Sequence, residues 1–225
     1  MQISSFGCSF VFGSDLNDAS AQHQYHSWST WPALLAKKLQ WQYTCLARPG
    51  IGNLQIAERI LSSFADTPPS LYIISWTWID RFDYVDQPDP NAPLLDPVGW
   101  RTLLPTMQNE AAHVYYKKLH SQLKDKITTL IYIKTVIDSL KEKEIPFLMT
   151  YMDDLIFEKE PNDTAAVVNL QNYVAPYLKN FNGKNFLDWS IDNKFAISDT
   201  MHPLEQAHES AANYIFKNLT HWVVD

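Results

Sequence analysis

The chain has 225 residues, 46% hydrophobic and 19% charged, enough for one domain with a full core or at most two small ones. Its net charge of -7, pI near 5.4 and lack of any Lys/Arg run argue against a surface that tracks nucleic-acid phosphates. Two cysteines, Cys8 and Cys45, supply neither a disulfide framework nor zinc spacing, and no apolar run approaches the roughly 18 residues of a membrane span.

The start, Met1-Gln2-Ile3-Ser4-Ser5-Phe6, has no basic segment and no apolar stretch of signal-peptide length. The expectation is a soluble protein without a secretory signal, in a reducing compartment. Ile3 to Cys8 reads as a first buried strand. Residues 27–40 read as a helix with Thr30 as N-cap and Pro32 in the first turn, where a missing N–H costs nothing. Trp41 to Leu46 reads as a second strand, 49–53 as a tight turn and Leu54 to Phe64 as an amphipathic helix. Leu71 to Trp76 is continuously apolar through Ile74, as a central parallel strand covered on both faces would be.

Pro88, Pro90, Pro93, Pro97 and Pro105 predict no regular structure over 83–106. A loop of that length is expected to be a lid or substrate-selecting wall, with Tyr84 and Trp100 as contacts, or else a plain surface excursion. A helical pattern from Asn109 to about Lys143 reads as one long helix. Ile145 to Tyr151 reads as a strand, 164–179 as a helix, 185–188 as a short strand, and Pro203 to Trp222 as a last helix. Strands alternating with helices predict an α/β fold with a largely parallel sheet, in a single domain over 1–225.

Two short segments carry chemistry. Gly7-Cys8-Ser9-Phe10 with Gly13 follows the first strand, and Asp199-Thr200-Met201-His202-Pro203 lies near the other end. A serine hydroxyl becomes a nucleophile when a histidine takes its proton, and the histidine needs a carboxylate to fix its tautomer. Together the segments resemble the first and last blocks of the SGNH (GDSL-like) hydrolase superfamily, with Cys8 where Asp is usual. The Gly-Cys-Ser-Phe form is similar to a divergent branch of phage and marine bacterial genomes. The resemblance implies a flavodoxin-like three-layer α/β/α sandwich with a mostly parallel five-stranded sheet. It also implies Ser9 as nucleophile, His202 as base and Asp199 as its orienter.

For the oxyanion, the resemblance implies the N–H of Ser9 and a glycine of the second block. Cys45 to Asn53 resembles that block, with Gly50 as the first candidate donor and Gly52 as the second; turn chemistry alone would also explain either glycine. The family's third-block asparagine has no counterpart in Ser75-Trp76-Thr77-Trp78-Ile79-Asp80-Arg81. Trp78 falls near its place, so Asn53, Thr77 or Arg81 is expected to serve. The function expected is a serine esterase on a small-molecule or carbohydrate ester, cytoplasmic or virion-associated, with no cofactor, metal, nucleic acid or membrane. Two other readings stand beside it: a weak or inactive SGNH-fold binding or virion-structural module, and a metal-dependent phosphoesterase using Asp153 and Asp154. The string Tyr151-Met152-Asp153-Asp154 copies one from reverse transcriptases, but follows a strand in an acidic α/β chain and is taken as chance.

Overall fold

A computed structural model describes residues 1–19, 24–65, 71–86 and 99–224. The elements in chain order are β1 (Gln2–Phe6), α1 (Ser9–Phe12), α2 (Trp31–Leu39), β2 (Gln42–Cys45), α3 (Asn53–Ser62), β3 (Leu71–Trp76), β4 (Phe82–Val85), β5 (Trp100–Leu103), α4 (Glu110–Val114), α5 (Gln122–Glu142), β6 (Phe147–Tyr151), α6 (Ala165–Val174), β7 (Leu178–Lys179), α7 (Phe186–Asp192), α8 (Glu205–Lys217) and α9 (Leu219–Trp222). Five strands form one parallel sheet in the order β2-β1-β3-β6-β7. Among the described residues no helix is long and apolar enough to cross a membrane.

Strand side chains alternate between the two faces, and each face builds its own core. Phe6, Tyr72, Ile74, Trp76, Phe147 and Met149 pack with Ile56 and Ile60 of α3, Ile133 and Val136 of α5, and Val167 of α6. Ile3, Leu71, Ile73 and Leu148 pack with Leu35 of α2, Trp189 of α7, and Ala207, Ala211 and Ala212 of α8. The result is a three-layer α/β/α sandwich. Because the sheet is parallel, the C-terminal ends of all its strands lie along one edge, where sites form in such folds.

The structure corrects four local expectations. The ends of segment 83–106 are regular, since β4 and β5 pair antiparallel with Phe82 opposite Leu103 and Val85 opposite Trp100. No proline lies in either strand: four fall between them and Pro105 follows. The middle of the expected lid, 87–98, lies outside the described residues. The long helix 109–143 is broken. A π-helical turn at Tyr115–Leu119 ends at an extended His120, and α5 restarts behind Ser121, whose hydroxyl caps the N–H of Lys124. Asn185 begins no strand; its side chain accepts from the Asp188 N–H and caps α7, and the fifth strand is Leu178–Lys179. The last helix is interrupted at Asn218 between α8 and α9.

Candidate active site

Ser9 opens α1 directly behind β1. The turn that places it requires Gly7: φ is +155°, and a Cβ there would stand 2.7 Å from Val11 Cγ2 and 3.0 Å from the Ser75 carbonyl oxygen. Gly13 ends the short helix at φ +79° and sends the chain toward Asp15. From the far end of the chain, residues 195–204 fold into a strap. Its turn is closed by the Ser198 N–H on the His202 carbonyl at 2.9 Å and the Met201 N–H on the Ser198 carbonyl at 3.0 Å.

The strap lays His202 between two groups from the first turns of the chain. His202 Nε2 is 2.7 Å from Ser9 Oγ, and His202 Nδ1 is 2.7 Å from Asp15 Oδ2. Ser198 Oγ donates to the same carboxylate oxygen at 2.6 Å, and the Thr200 hydroxyl donates to it as well. Partial burial pushes the Asp15 carboxyl up, but the hydrogen bonds from Ser198, Thr200 and His202, with the imidazole's charge, outweigh it and hold the group down at about 2. Asp15 is therefore a carboxylate at neutral pH, aimed at Nδ1–H, and it leaves the Nε2 lone pair facing the serine.

This corrects the place of Asp199. Side chains 198, 200 and 202 of the strap share one side and converge on Asp15, whereas Asp199 is exposed and makes no described hydrogen bond to His202. The motif reading also leaves out Asp15, Ser198 and Thr200. The one sequence signal for Asp15 is its place two residues beyond the glycine that ends the Ser9 helix.

The expected oxyanion donors fare differently. The Leu46 N–H bonds to the Ser5 carbonyl at 2.8 Å and the Arg48 N–H to the Gly7 carbonyl at 3.0 Å, clipping the end of β2 beside the serine turn. Gly50 follows at φ +78°, with open space where a Cβ would sit. Asn53 is not free for a substrate: its Oδ1 accepts the Thr77 N–H at 2.8 Å and its Nδ2 donates to the Thr77 carbonyl at 3.1 Å. Thr77 is fully buried, and its hydroxyl has no hydrogen-bond partner among the described residues. The two residues pin α3 to the loop behind β3, which corrects the substrate-facing place expected for each. Asp153 is likewise engaged by backbone, accepting the Ile79 N–H at 2.9 Å and the Leu155 N–H at 3.1 Å.

Phe10, next to the serine, lies 4.8 Å from the His202 ring and meets the Trp78 ring edge-on at 5.5 Å between centroids. The Arg81 guanidinium stands 4.9 Å over Trp78 and donates to the Ile51 carbonyl at 2.9 Å. An aromatic wall thus runs from the imidazole to a cation.

Solved structures with this fold include a member of the lipolytic protein G-D-S-L family from Veillonella parvula (12% identity, TM-score 0.51, 98% of each chain covered). A psychrotrophic esterase from Pseudoalteromonas sp., inhibited by monoethylphosphonate, is similar at 11% identity and TM-score 0.51, over 98% of this chain and 97% of that one. An acetyl xylan esterase from the rumen bacterium Butyrivibrio proteoclasticus is similar at 13% identity and TM-score 0.54, over 98% of this chain and 64% of that one. No protein-family model matches the chain, and no curated protein matches it. The sandwich is the SGNH hydrolase fold.

Proposed function

We propose that this chain, which carries the SGNH hydrolase fold, is a serine-dependent ester hydrolase. The observation that supports the reading best is the unbroken relay Ser9 Oγ, His202 Nε2, His202 Nδ1, Asp15 Oδ2, with both hydrogen bonds at 2.7 Å. Ser9 Oγ attacks the ester carbonyl while His202 Nε2 takes its proton. The carbonyl oxygen becomes an oxyanion held by the backbone N–H groups of Ser9 and Gly50, each worth on the order of 3 kcal/mol in the transition state. Collapse breaks the bond to the alcohol, which leaves with the proton from His202. Water, deprotonated by the same imidazole, then releases the acid and restores Ser9. Asp15 supports the imidazolium that forms in each half-reaction.

The acyl group proposed is a short one carried on a carbohydrate, a reading supported by the acetyl xylan esterase among the similar structures. The test is hydrolysis of a short 4-nitrophenyl ester together with labelling by a fluorophosphonate. Wild type is expected to turn over and to be labelled on Ser9. Ser9→Ala and His202→Ala are expected to fall by on the order of 10⁴-fold or more, toward background. Unchanged rates in both variants would exclude the reading.

The inward commitment of Asn53 and the enclosure of Thr77 favour one second reading, a binding or virion-structural module in which the site is vestigial. In that case the fluorophosphonate leaves Ser9 unlabelled in the folded wild type.

A further inference from the structure

The cation at the end of the aromatic wall, Arg81, acts on the carboxyl of Asp80, its neighbour in the chain, but its fork is not closed by an ion pair among the described residues. The carboxylates of the neighbouring elements are engaged elsewhere. Asp83 accepts from the Gly52 N–H, the Gln55 N–H, Gln55 Nε2 and Thr102 Oγ1. Asp125 faces Lys124 at 3.2 Å and His120 at 3.0 Å. Arg81 is only half-exposed, so water does not fully solvate it. A guanidinium has five N–H donors in a planar fork; here one is fixed on Ile51, the residue next to Gly50, and one face rests on Trp78. Such anchoring on a rigid ring and a backbone carbonyl pre-orients the remaining donors, the arrangement that suits a carboxylate. The chain as a whole is acidic, at -7, so this local cation opposes the general field.

We infer that Arg81 is the specificity-determining residue of the site and that the substrate is an ester bearing a carboxylate, bound by the Arg81 fork on the Trp78 wall. The inference rests on the serine-hydrolase reading and narrows its substrate from esters in general to anionic ones, of the kind an O-acylated acidic sugar presents. The carboxylate can stand on the acyl side or on the alcohol side of the scissile bond, and the test separates them. For the acyl side, mono-4-nitrophenyl glutarate is compared with its neutral isostere, 4-nitrophenyl glutaramate. For the alcohol side, 4-acetoxybenzoate is compared with 4-acetoxybenzamide.

In wild type one pair is expected to show kcat/KM about tenfold to a hundredfold higher for the anion, the range for a charge-assisted hydrogen-bonded pair. Arg81→Met is expected to bring that ratio to about one, and Arg81→Lys to hold an intermediate value, because charge stays while the planar fork is lost. Fluorophosphonate labelling of Ser9 in each variant reports that the catalytic groups are still assembled. Wild-type ratios of one or below in both pairs overturn the inference while leaving the hydrolase reading in place. An equal fall for anion and neutral isostere in Arg81→Met also overturns it, and assigns Arg81 to holding the Ile51 turn alone. No turnover of any ester together with no labelling overturns the hydrolase reading and this inference with it.

Discussion

Asp15 and Asp199 are rivals for the proposed role of orienting His202, and among the described residues it is Asp15 that lies 2.7 Å from the ring. Asp15→Asn keeps the shape but reverses the hydrogen-bonding partner at Nδ1, favouring the wrong imidazole tautomer; kcat is expected to fall on the order of 10³–10⁴-fold. Asp199→Asn alters an exposed group and is expected to change the rate by no more than about twofold. Side-by-side steady-state kinetics of the two variants checks this, and the reverse order would return the role to Asp199. Because the Asp15 carboxyl is held at about 2, below its ordinary 3.8, its stabilising charge is present above pH 3.8 and fades as pH falls toward 2. That Ser9 and His202 would meet was legible because each lies in a short string whose neighbours are constrained. Asp15 was not, because a carboxylate's approach to a histidine 187 residues away is set by tertiary folding and leaves no local spacing. The Asp-x-x-His string promised proximity in the chain, but the alternation of side chains along the strap turned Asp199 outward.

At the level of elements, the strap and α2 are joined by one buried histidine. His208 Nδ1 accepts the Trp31 N–H at 3.0 Å, doing for α2 what the Thr30 side chain does not. The same imidazole hydrogen-bonds the backbone of Pro203, the residue after His202, and burial holds its pKa down at about 3. The unfolded chain therefore takes up a proton near pH 6.5 that the folded chain refuses until about pH 3, so stability falls as pH drops through that window. At pH 5 the loss is about 2 kcal/mol from this group alone. Urea midpoints at pH 7 and pH 5 are expected to differ less in His208→Gln than in wild type; an equal difference would remove His208 from the account. Element types were largely readable from periodicity, and their ends were not. The apolar pattern of 109–143 runs on through the break at His120, where a serine hydroxyl restarts the helix. Pro88, Pro90, Pro93 and Pro97 lie outside the described residues, and the expectation they set over 83–106 concealed the two proline-free strands that flank them.

Over the whole molecule, the site depends on the contact between α2 and α8, since the strap leads straight into α8. Ala211 and Ala212 are fully buried in that layer with Leu35 and Trp31. Ala211→Leu overpacks it and is expected to cost about 1–3 kcal/mol. The rate of fluorophosphonate labelling is expected to fall at urea concentrations where far-ultraviolet circular dichroism is still native, because the strap separates before the sheet melts. Coincident loss of both signals would show that strap and sheet unfold as one unit. The sandwich itself was legible early: alternating strand and helix patterns allow few layer arrangements, and β3 announced a doubly covered centre by composition alone.

The chemistry also has a timetable. Ser9 and Asp15 are made before His202, beside a strand whose two sheet neighbours, β2 and β3, are complete by residue 76. His202 comes only after another 125 positions have been added. The sheet can begin to pair while Ser9 still has no imidazole beside it, so the proposed nucleophile waits until the stretch between β3 and His202 has been made. On the proposed reading, activation waits for the layer that carries the strap to dock, and labelling of Ser9 would report that two segments 193 residues apart have met.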